Sequence, residues 1–429
     1  MRLNSRAMRR TLVAIMASFA LIVVAACGDD DADGAEATAN DDTQPESGSN
    51  GATGASFRGI TDTTITIGGI GNRNFAGAEE GAKARIERAN KEGGVDGRTI
   101  EFVGVRDDEN DGDRNLALVR ELVDRDGVFA IVPLNSGALQ PSAGAFMDEA
   151  GVPFIGIGSR PSYCADTQNW FGHNGCLLDA STYNSSVADP LGELFDNGLE
   201  GVKFAISSMG DEAGQRSVDQ AKAVIEARGG EVVYAEANVP RGGGIDFQPF
   251  VDSILAAKPE AVLLSQDFPN SLGLKRLLVA AGFNGPIADY LTYVPGLLDS
   301  SPDVKVALEG TYIISSLTPT LEDGTPYVKQ MLEDFEAAGV ANPTLGAILG
   351  YVQTDLFIAM ADAVDGDFAS FAEIVNAGFE YEPEEGGVPV RFPENRTLAV
   401  PCAGLVTVHN GAYSTVVPYS CYENLPRNG

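Results

Sequence analysis

Residues 246–265 read DFQPFVDSILAAKPEAVLLS and contain a helix-to-strand unit that much of the chain repeats. Phe247, Val251 and Ile254 fall on one helical face, because apolar side chains recur there at intervals of three and four. Pro259 ends this helix, since the residue before a proline avoids helical backbone angles. The run AVLLS that follows is continuously apolar, as in a strand buried on both faces of a parallel sheet. The segment therefore predicts a helix that leads into a buried parallel strand.

The same alternation of apolar runs and helical stretches extends in both directions from this segment. A pair of glycines, Gly229 and Gly230, supplies a left-handed turn that closes another helix before the next strand. Repeated strand–helix–strand order requires crossovers, so we predict an α/β fold with parallel sheets. The predicted strands are TTITIGGI at 63–70, TIEFVGV at 99–105, VFAIVP at 128–133, PFIGI at 153–157, VKFAIS at 202–207, EVVYAE at 231–236, AVLLS at 261–265 and TYIISS at 311–316.

Residues 1–26 have the pattern of a secretory signal peptide. Arginines precede an uncharged apolar stretch that is shorter than the roughly 20 residues needed to cross a bilayer. Small residues lead up to Cys27 and acidic residues follow it, which is typical of a cleavage site where the freed cysteine takes a lipid. We therefore predict a lipoprotein anchored to the outer face of the cell membrane. An uncleaved anchor helix and an ordinary signal peptide are the alternatives.

Residues 27–56 contain no basic and no aromatic side chain after the cysteine. A chain of this composition cannot bury enough apolar surface to fold, so we predict a disordered acidic linker behind Cys27. Such a linker would keep the folded body close to the membrane and leave it free to reorient.

The chain has 5 cysteines, an odd number for an exported protein. Assigning Cys27 to the lipid leaves Cys164, Cys176, Cys402 and Cys421, an even set that we expect to form two disulfides in an oxidising compartment. Three connectivities are possible, and pairing neighbours in the sequence is the simplest. A zinc site is disfavoured because the cysteines show no C-x2-C spacing.

The composition argues against several classes of function. A formal net charge of −32 with only 29 lysines and arginines argues against nucleic-acid binding. The chain has 2 histidines and lacks the motifs of serine hydrolases, P-loop proteins and zinc proteases, so we predict neither enzyme activity nor a metal. The glycine-rich turn at 69–74 lacks the third glycine of the dinucleotide fingerprint, so we predict no cofactor.

Polar residues follow the predicted strands at their carboxyl ends, where open α/β sheets bind ligands. Asn135, Ser136 and Gly137 follow the third predicted strand and precede a helix, whose first N–H groups suit an anionic ligand group. A helix-capping role for Asn135 or Ser136 is the alternative. Ser159 and Arg160 follow the next strand in the same half of the chain.

The other half of the chain offers a second set of polar strand ends. Gln266 and Asp267 follow the AVLLS strand and provide an amide and a carboxylate. A polar or ammonium head group fits between Asp267 and an aromatic ring such as Phe268 or Tyr290. We therefore predict a small-molecule site to which both halves contribute.

The order and spacing of several segments resemble the periplasmic substrate-binding proteins of the branched-chain amino acid type, which feed ABC transporters. The resemblance extends from about residue 59 to the C-terminal region. The segments are ITDTTITIG at 60–68, RANKEGGVDGRTIEF at 88–102, RDDENDGDRNLALVRELVDRDGVFAIV at 106–132, MDEAGVPFIG at 147–156, DFQPFVDSILAAKPEAVLLS at 246–265 and LLVAAGFNGPI at 277–287.

The resemblance implies a type I periplasmic binding fold. Two Rossmann-like α/β lobes with parallel sheets would be joined by a hinge of three chain crossings and would close over a small ligand. One lobe would comprise residues 57–180 and 309–378, and the other residues 181–308 and 379–429.

The resemblance also implies site residues. Ser136 matches the serine that binds a ligand carboxylate, Ser159 matches a hydroxyl position, and Gln266 and Asp267 fall where the second lobe meets the ligand. Where the family commonly has a Tyr-Gly pair, this chain has MGDEAG, in which Asp211 is the candidate contact. Amides, urea-like compounds and small carboxylates are therefore alternatives to an amino acid.

We predict a monomeric solute-binding protein that captures a small polar ligand and delivers it to an ABC permease in the membrane. The ligand would be an amino acid, an amide or a small carboxylate. Its contacts with both lobes would shift the population toward the closed form. The alternative is a ligand sensor that presents its closed form to a membrane receptor.

Overall fold

The computed structural model of the protein describes residues 57–159, 162, 164, 167–178, 181–242 and 244–427. The predicted signal peptide, the predicted lipid site Cys27, the predicted linker and the predicted ligand contact Arg160 lie outside the described residues. None of the helices in the described ranges is both long and apolar enough to cross a membrane.

Strands and helices alternate over the first three quarters of the described chain, and strands predominate at its C-terminal end. The strands are β1 (Thr64–Gly71), β2 (Thr99–Asp107), β3 (Ala130–Leu134), β4 (Phe154–Gly158), β5 (Trp170–Cys176), β6 (Thr182–Tyr183), β7 (Lys203–Met209), β8 (Glu231–Val239), β9 (Ala261–Ser265), β10 (Ile287–Asp289), β11 (Thr311–Ser315), β12 (Glu380–Tyr381), β13 (Val390–Arg391), β14 (Cys402–His409), β15 (Ala412–Cys421) and β16 (Leu425–Pro426). The helices are α1 (Ala78–Lys91), α2 (Gly112–Arg120), α3 (Pro141–Glu149), α4 (Glu212–Ala227), α5 (Gln248–Ala256), α6 (Phe268–Ala280), α7 (Leu297–Ser300), α8 (Pro302–Leu308), α9 (Pro326–Ala337), α10 (Leu345–Ala363) and α11 (Phe371–Asn376).

The first sheet has 5 strands in the order β2-β1-β3-β4-β5. All of its neighbouring strands are parallel, so their carboxyl ends meet at one edge. Helices α1, α9 and α10 bury their apolar sides in one hydrophobic cluster with this sheet, and α2 and α3 do so in another. The sheet is therefore covered by helices, as expected for continuously apolar parallel strands.

The second sheet has 7 strands in the order β15-β14-β11-β10-β9-β7-β8. The five strands β8, β7, β9, β10 and β11 are parallel to one another. At the other end of the sheet, β14 pairs antiparallel with β11, and β15 pairs antiparallel with β14. Helix α4 packs into one hydrophobic cluster of this sheet, and α5 and α6 pack into another. The two sheets with their helices confirm the predicted α/β class with parallel sheets.

Each strand predicted from an apolar run is present. The helix predicted from residues 246–257 is α5, with Val251 and Ile254 buried. Gly229 follows α4 with a backbone φ of 83°, which is the left-handed turn predicted there. Local sequence pattern therefore determines most of the parallel framework.

The predicted lobe boundaries at 309 and 379 do not coincide with the two sheets. Strand β11, which the prediction placed in the first lobe, pairs with β10 and β14 in the second sheet. Phe392, which the prediction placed in the second lobe, packs on the first, where its ring centroid lies 5.1 Å from that of Phe171. By strand pairing and packing, β11 therefore belongs with the second sheet and Phe392 with the first.

Two disulfides join Cys164 to Cys176 and Cys402 to Cys421. This is the pairing of sequence neighbours, the simplest of the three predicted connectivities. The second disulfide lies between β14 and β15, where the two cysteines are paired directly across the strands. It therefore links the outermost strand of the second sheet to its neighbour.

Candidate functional site

A cavity of about 290 Å³ lies at the carboxyl-end edge of the second sheet. Met209 ends β7, Ser265 ends β9, and Gln266 follows directly. Tyr290 and Leu291 follow β10 and complete this wall. Because parallel strands end at a common edge, these residues from separate parts of the chain meet in one place.

The other walls come from the segments in which the chain passes from one sheet to the other. Leu177 and Thr182 belong to the first passage, Ser316 and Leu317 to the second, and Ala399 to the third. All three passages therefore contact the cavity, which places it at the hinge expected for the fold.

Gln266 is the most deeply buried polar residue of the cavity wall, with 1% of its surface exposed. Its Nε2 donates to the Ser207 hydroxyl at 3.0 Å. Its Oε1 is buried and accepts no hydrogen bond from the described protein. A buried carbonyl oxygen without a donor costs about 1–3 kcal/mol, so this atom favours a ligand that can donate to it.

Several neighbouring hydroxyl groups are already paired within the protein. The hydroxyls of Ser217 on α4 and Ser265 lie 2.7 Å apart, and the Tyr290 hydroxyl donates to the carbonyl of Val187 at 2.9 Å. Burial, and then the nearby Asp289 carboxylate, raises the pKa of Tyr290. Tyr290 is therefore a neutral hydrogen-bond donor at physiological pH.

Asp289 fixes the turn that carries Tyr290 and Leu291. One of its carboxylate oxygens accepts the N–H groups of Leu291 and Thr292 at 3.1 and 3.0 Å, and the Thr292 hydroxyl donates to both oxygens. Burial raises the pKa of Asp289 to about 6, although the hydrogen bonds from Thr292 act in the opposite direction and lower it. Its side chain supports the cavity wall from behind.

A buried polar chain connects the carboxyl end of the first sheet to the second passage. The Nε2 of Gln353 on α10 donates to Asn135 Oδ1 at 2.7 Å and lies 3.4 Å from His173 Nδ1. His173 Nε2 lies 3.0 Å from the carbonyl of Leu317 and must donate, because a carbonyl only accepts. Burial lowers the pKa of His173 to about 4, so the ring is neutral. This chain holds Leu317, a cavity residue, in place.

Ser136 has partners that the sequence did not suggest. Its hydroxyl donates to the buried Asp108 carboxylate and accepts the N–H of Ala138 at 2.9 Å. The helix expected directly after Gly137 begins only at Pro141, so its N–H groups do not surround Ser136. The prediction of a helix directly after Gly137 is therefore wrong, because Pro141 sets the first helical position.

Asp267 and Asp211 are helix caps in the structure. Asp267 accepts the N–H groups of Asn270 at 3.2 Å and Gly242 at 2.8 Å. Asp211 caps α4 through the N–H of Gly214 at 2.8 Å and forms an ion pair with Arg241. The hydrogen bond from Gly214, followed by that from Arg241, lowers the pKa of Asp211. Neither carboxylate lines the cavity.

Of the predicted contacts, the cavity brings together Gln266 and Tyr290. Asn135 is buried and Gly137 half-buried outside it, and Ser159 is exposed with its N–H donating to Ile157 at 2.7 Å. The roles predicted for these first-half residues stay predictions.

Sequence reasoning missed the residues of the passages and of α4. Asn184, Ser217 and Gln220 line the cavity, as does Ser316. Ser316 is the last residue of the predicted TYIISS strand, so the rule that ligands meet strand ends would have found it. Asn184 and Gln220 carry no such local signal, because only the folded chain brings them to the cavity.

The sequence pattern of the periplasmic binding protein family matches residues 63–412. The chain belongs to this family. Membership confirms the predicted resemblance, and because the family consists of binding proteins, it also confirms that the protein is not an enzyme. Family membership further implies that the protein is exported. A search by sequence against curated proteins found no match.

Solved structures with the same fold include transport proteins from several bacteria. A fatty acid ABC transporter substrate-binding protein from Thermomonospora curvata is 20% identical, with a TM-score of 0.64 over 85% of this chain and 94% of that one. A putative branched-chain amino acid ABC transporter protein from Rhodospirillum rubrum is 22% identical, with a TM-score of 0.64 over 82% and 99%. A solute-binding protein from R. palustris in complex with benzoate is 19% identical, with a TM-score of 0.58 over 85% and 99%. These likenesses support the fold.

Proposed function

We propose that this protein is the solute-binding component of an ABC transporter and that the cavity beside Gln266 binds the solute. The position of the cavity carries the proposal, because a ligand there contacts the strand ends of one sheet and all three chain passages at once. Similar structures named for ABC transporters support the same role.

In this proposal the two lobes comprise about residues 57–178 with 316–399 and about residues 181–315 with 400–427. Contacts that a ligand makes with the passages differ with the angle between the lobes. Such a ligand shifts the population toward the angle at which its contacts are most favourable. The permease would then recognise the closed form of the monomer.

Isothermal titration against amino acids, amides, fatty acids and small carboxylates tests this function. At least one class should bind, and Gln266→Leu should weaken that binding at least tenfold, or about 1.4 kcal/mol. Gln215→Leu is the matched control, because Gln215 is an exposed glutamine of α4 that pairs with Asp219 outside the cavity. Absence of any ligand, or equal binding by the Gln266 variant, would contradict the proposal.

We further propose that Cys27 carries a lipid and tethers the protein to the outer face of the membrane through residues 27–56. The small residues before Cys27 and the acidic composition after it support this. Cells fed labelled palmitate should label the wild-type protein and leave Cys27→Ala unlabelled. Label on the variant would refute lipid attachment at this residue.

A further inference from the structure

We propose that the ligand of the cavity is an uncharged molecule with an apolar body and one N–H or O–H donor, such as a primary amide or an alcohol. An amino acid or a carboxylate fits this cavity less well. The inference rests on the proposed function, because it names the ligand class of the same cavity.

The first reason for an uncharged ligand is the chemistry of the side chains that line the cavity. Among the described residues that line it, none is an aspartate, glutamate, lysine, arginine or histidine. Its polar groups are hydroxyls and amides, such as those of Ser217, Gln220 and Gln266. An ion taken out of water into such a site loses several kcal/mol of hydration, and none of the described lining residues supplies an opposite charge to restore it. A neutral ligand avoids this cost.

The groups expected to bind the two charges of an amino acid are engaged elsewhere. Ser136, the predicted partner of a carboxylate, donates its hydroxyl to the Asp108 carboxylate. A ligand carboxylate at that hydroxyl would meet a like charge. Asp267, the predicted partner of an ammonium, accepts the N–H groups of Asn270 and Gly242 and does not line the cavity.

Gln266 defines the donor that the ligand must carry. Its Nε2 is used by Ser207, and its Oε1 is buried without a partner. Once the side chain turns this oxygen toward the cavity, one N–H or O–H group of a ligand would satisfy it. A ligand that carries only acceptors would leave it unpaired, at a cost of about 1–3 kcal/mol.

Size and apolar lining define the rest of the ligand. The cavity measures about 290 Å³, and its wall includes Val187, Met209, Leu291 and Leu317. An engineered apolar cavity of roughly 150 Å³ holds benzene, so this one has room for a benzene ring or a branched aliphatic chain together with a small polar group.

Two matched ligand series at pH 7 test the inference by isothermal titration. The aromatic series is benzamide, benzyl alcohol, benzoate, benzylammonium and acetophenone, and the aliphatic series is isovaleramide, isovalerate and leucine. In at least one series, the amide or alcohol should bind at least tenfold more tightly than each charged or acceptor-only analogue.

Two variants make the test independent of folding defects. Gln266→Leu should remove the preference for amides, whereas Gln266→Glu should gain at least tenfold affinity for benzylammonium, because the new carboxylate supplies the missing charge. Gln215→Leu should behave as the wild type. A gain of binding cannot arise from a variant that fails to fold.

The outcomes separate this inference from the proposed function. If ligands bind but in neither series does the amide or alcohol bind at least tenfold more tightly than every charged or acceptor-only analogue, the inference is overturned and the solute-binding function stands. If no member of either series binds, this ligand class is also overturned, and the broader titration alone then decides the proposed function.

Discussion

Two buried ionisable residues, His173 and Asp289, respond to acid in opposite directions. Burial lowers the pKa of His173 from 6.5 to about 4, so between these values the unfolded chain binds the extra proton and stability falls as pH falls. Burial raises the pKa of Asp289 from 3.8 to about 6, so between these values the native protein binds the proton and stability rises as pH falls. In the wild-type protein the two effects therefore partly offset each other.

We predict that single variants separate these two effects. By the linkage relation, acidification from pH 7 to pH 5 lowers the free energy of unfolding by about 2 kcal/mol through His173 and raises it by about 1 kcal/mol through Asp289. Relative to the wild type, His173→Gln should therefore lose less stability on acidification, and Asp289→Asn should lose more. Urea unfolding at both pH values measures this. Parallel shifts of both variants would show that other groups control the acid response.

The packing of α1 against α10 depends on glycines that allow their backbones to approach closely. A Cβ atom built on Gly81 of α1 would lie 1.9 Å from the carbonyl oxygen of Ala347, and one on Gly350 of α10 would lie 2.1 Å from that of Ala78. Both neighbours are backbone atoms, so they move only if a helix moves. The two helices cover the first sheet. The hydrogen-bonded side chains of Asn135, Gln353 and His173 lie at the carboxyl end of that sheet.

Gly81→Ala should destabilise the protein although alanine is the better helix former. Helix propensity alone would add about 1 kcal/mol of stability. The clash with Ala347 should outweigh this gain and cost about 1–3 kcal/mol net, as overpacking does. Thermal unfolding measures the difference, with Gly192→Ala as the control, because the nearest atom to its added Cβ lies at 3.7 Å. A more stable Gly81→Ala protein would contradict the close helix contact.

Elements with a purely local signal were predictable, and those that depend on distant partners were not. Strands such as β9 are continuous apolar runs, and Gln266 follows from the end of that strand. Strand β5 reads WFGHNGC and was missed, because its His173 has partners in Gln353 and Leu317, which lie 180 and 144 residues away in the sequence. Likewise Asn184 and Ala399 reach the cavity only through the passages, whose course is fixed by packing of both sheets.

At the scale of the whole molecule, closure would bring the first lobe to a ligand that the second lobe holds. The cavity contains Gln266 and Tyr290 but neither Asn135 nor Ser136. If the lobes close as proposed, the loop 135–140 approaches the bound ligand, although it does not line the cavity in this structure. The predicted role of Ser136 therefore depends on a motion about the passages.

Hydrogen exchange with and without ligand tests this closure. At a free ligand concentration of one hundred times Kd, amides that exchange only from the unliganded protein should slow by up to about 100-fold. We expect this at residues 182–187 and 316–318 of the passages and also at 135–140. Gln266→Leu at the same ligand concentration is the control and should show little protection. Protection confined to the passages and the second sheet would mean that the ligand binds without closure, and Ser136 would then have no part in holding it.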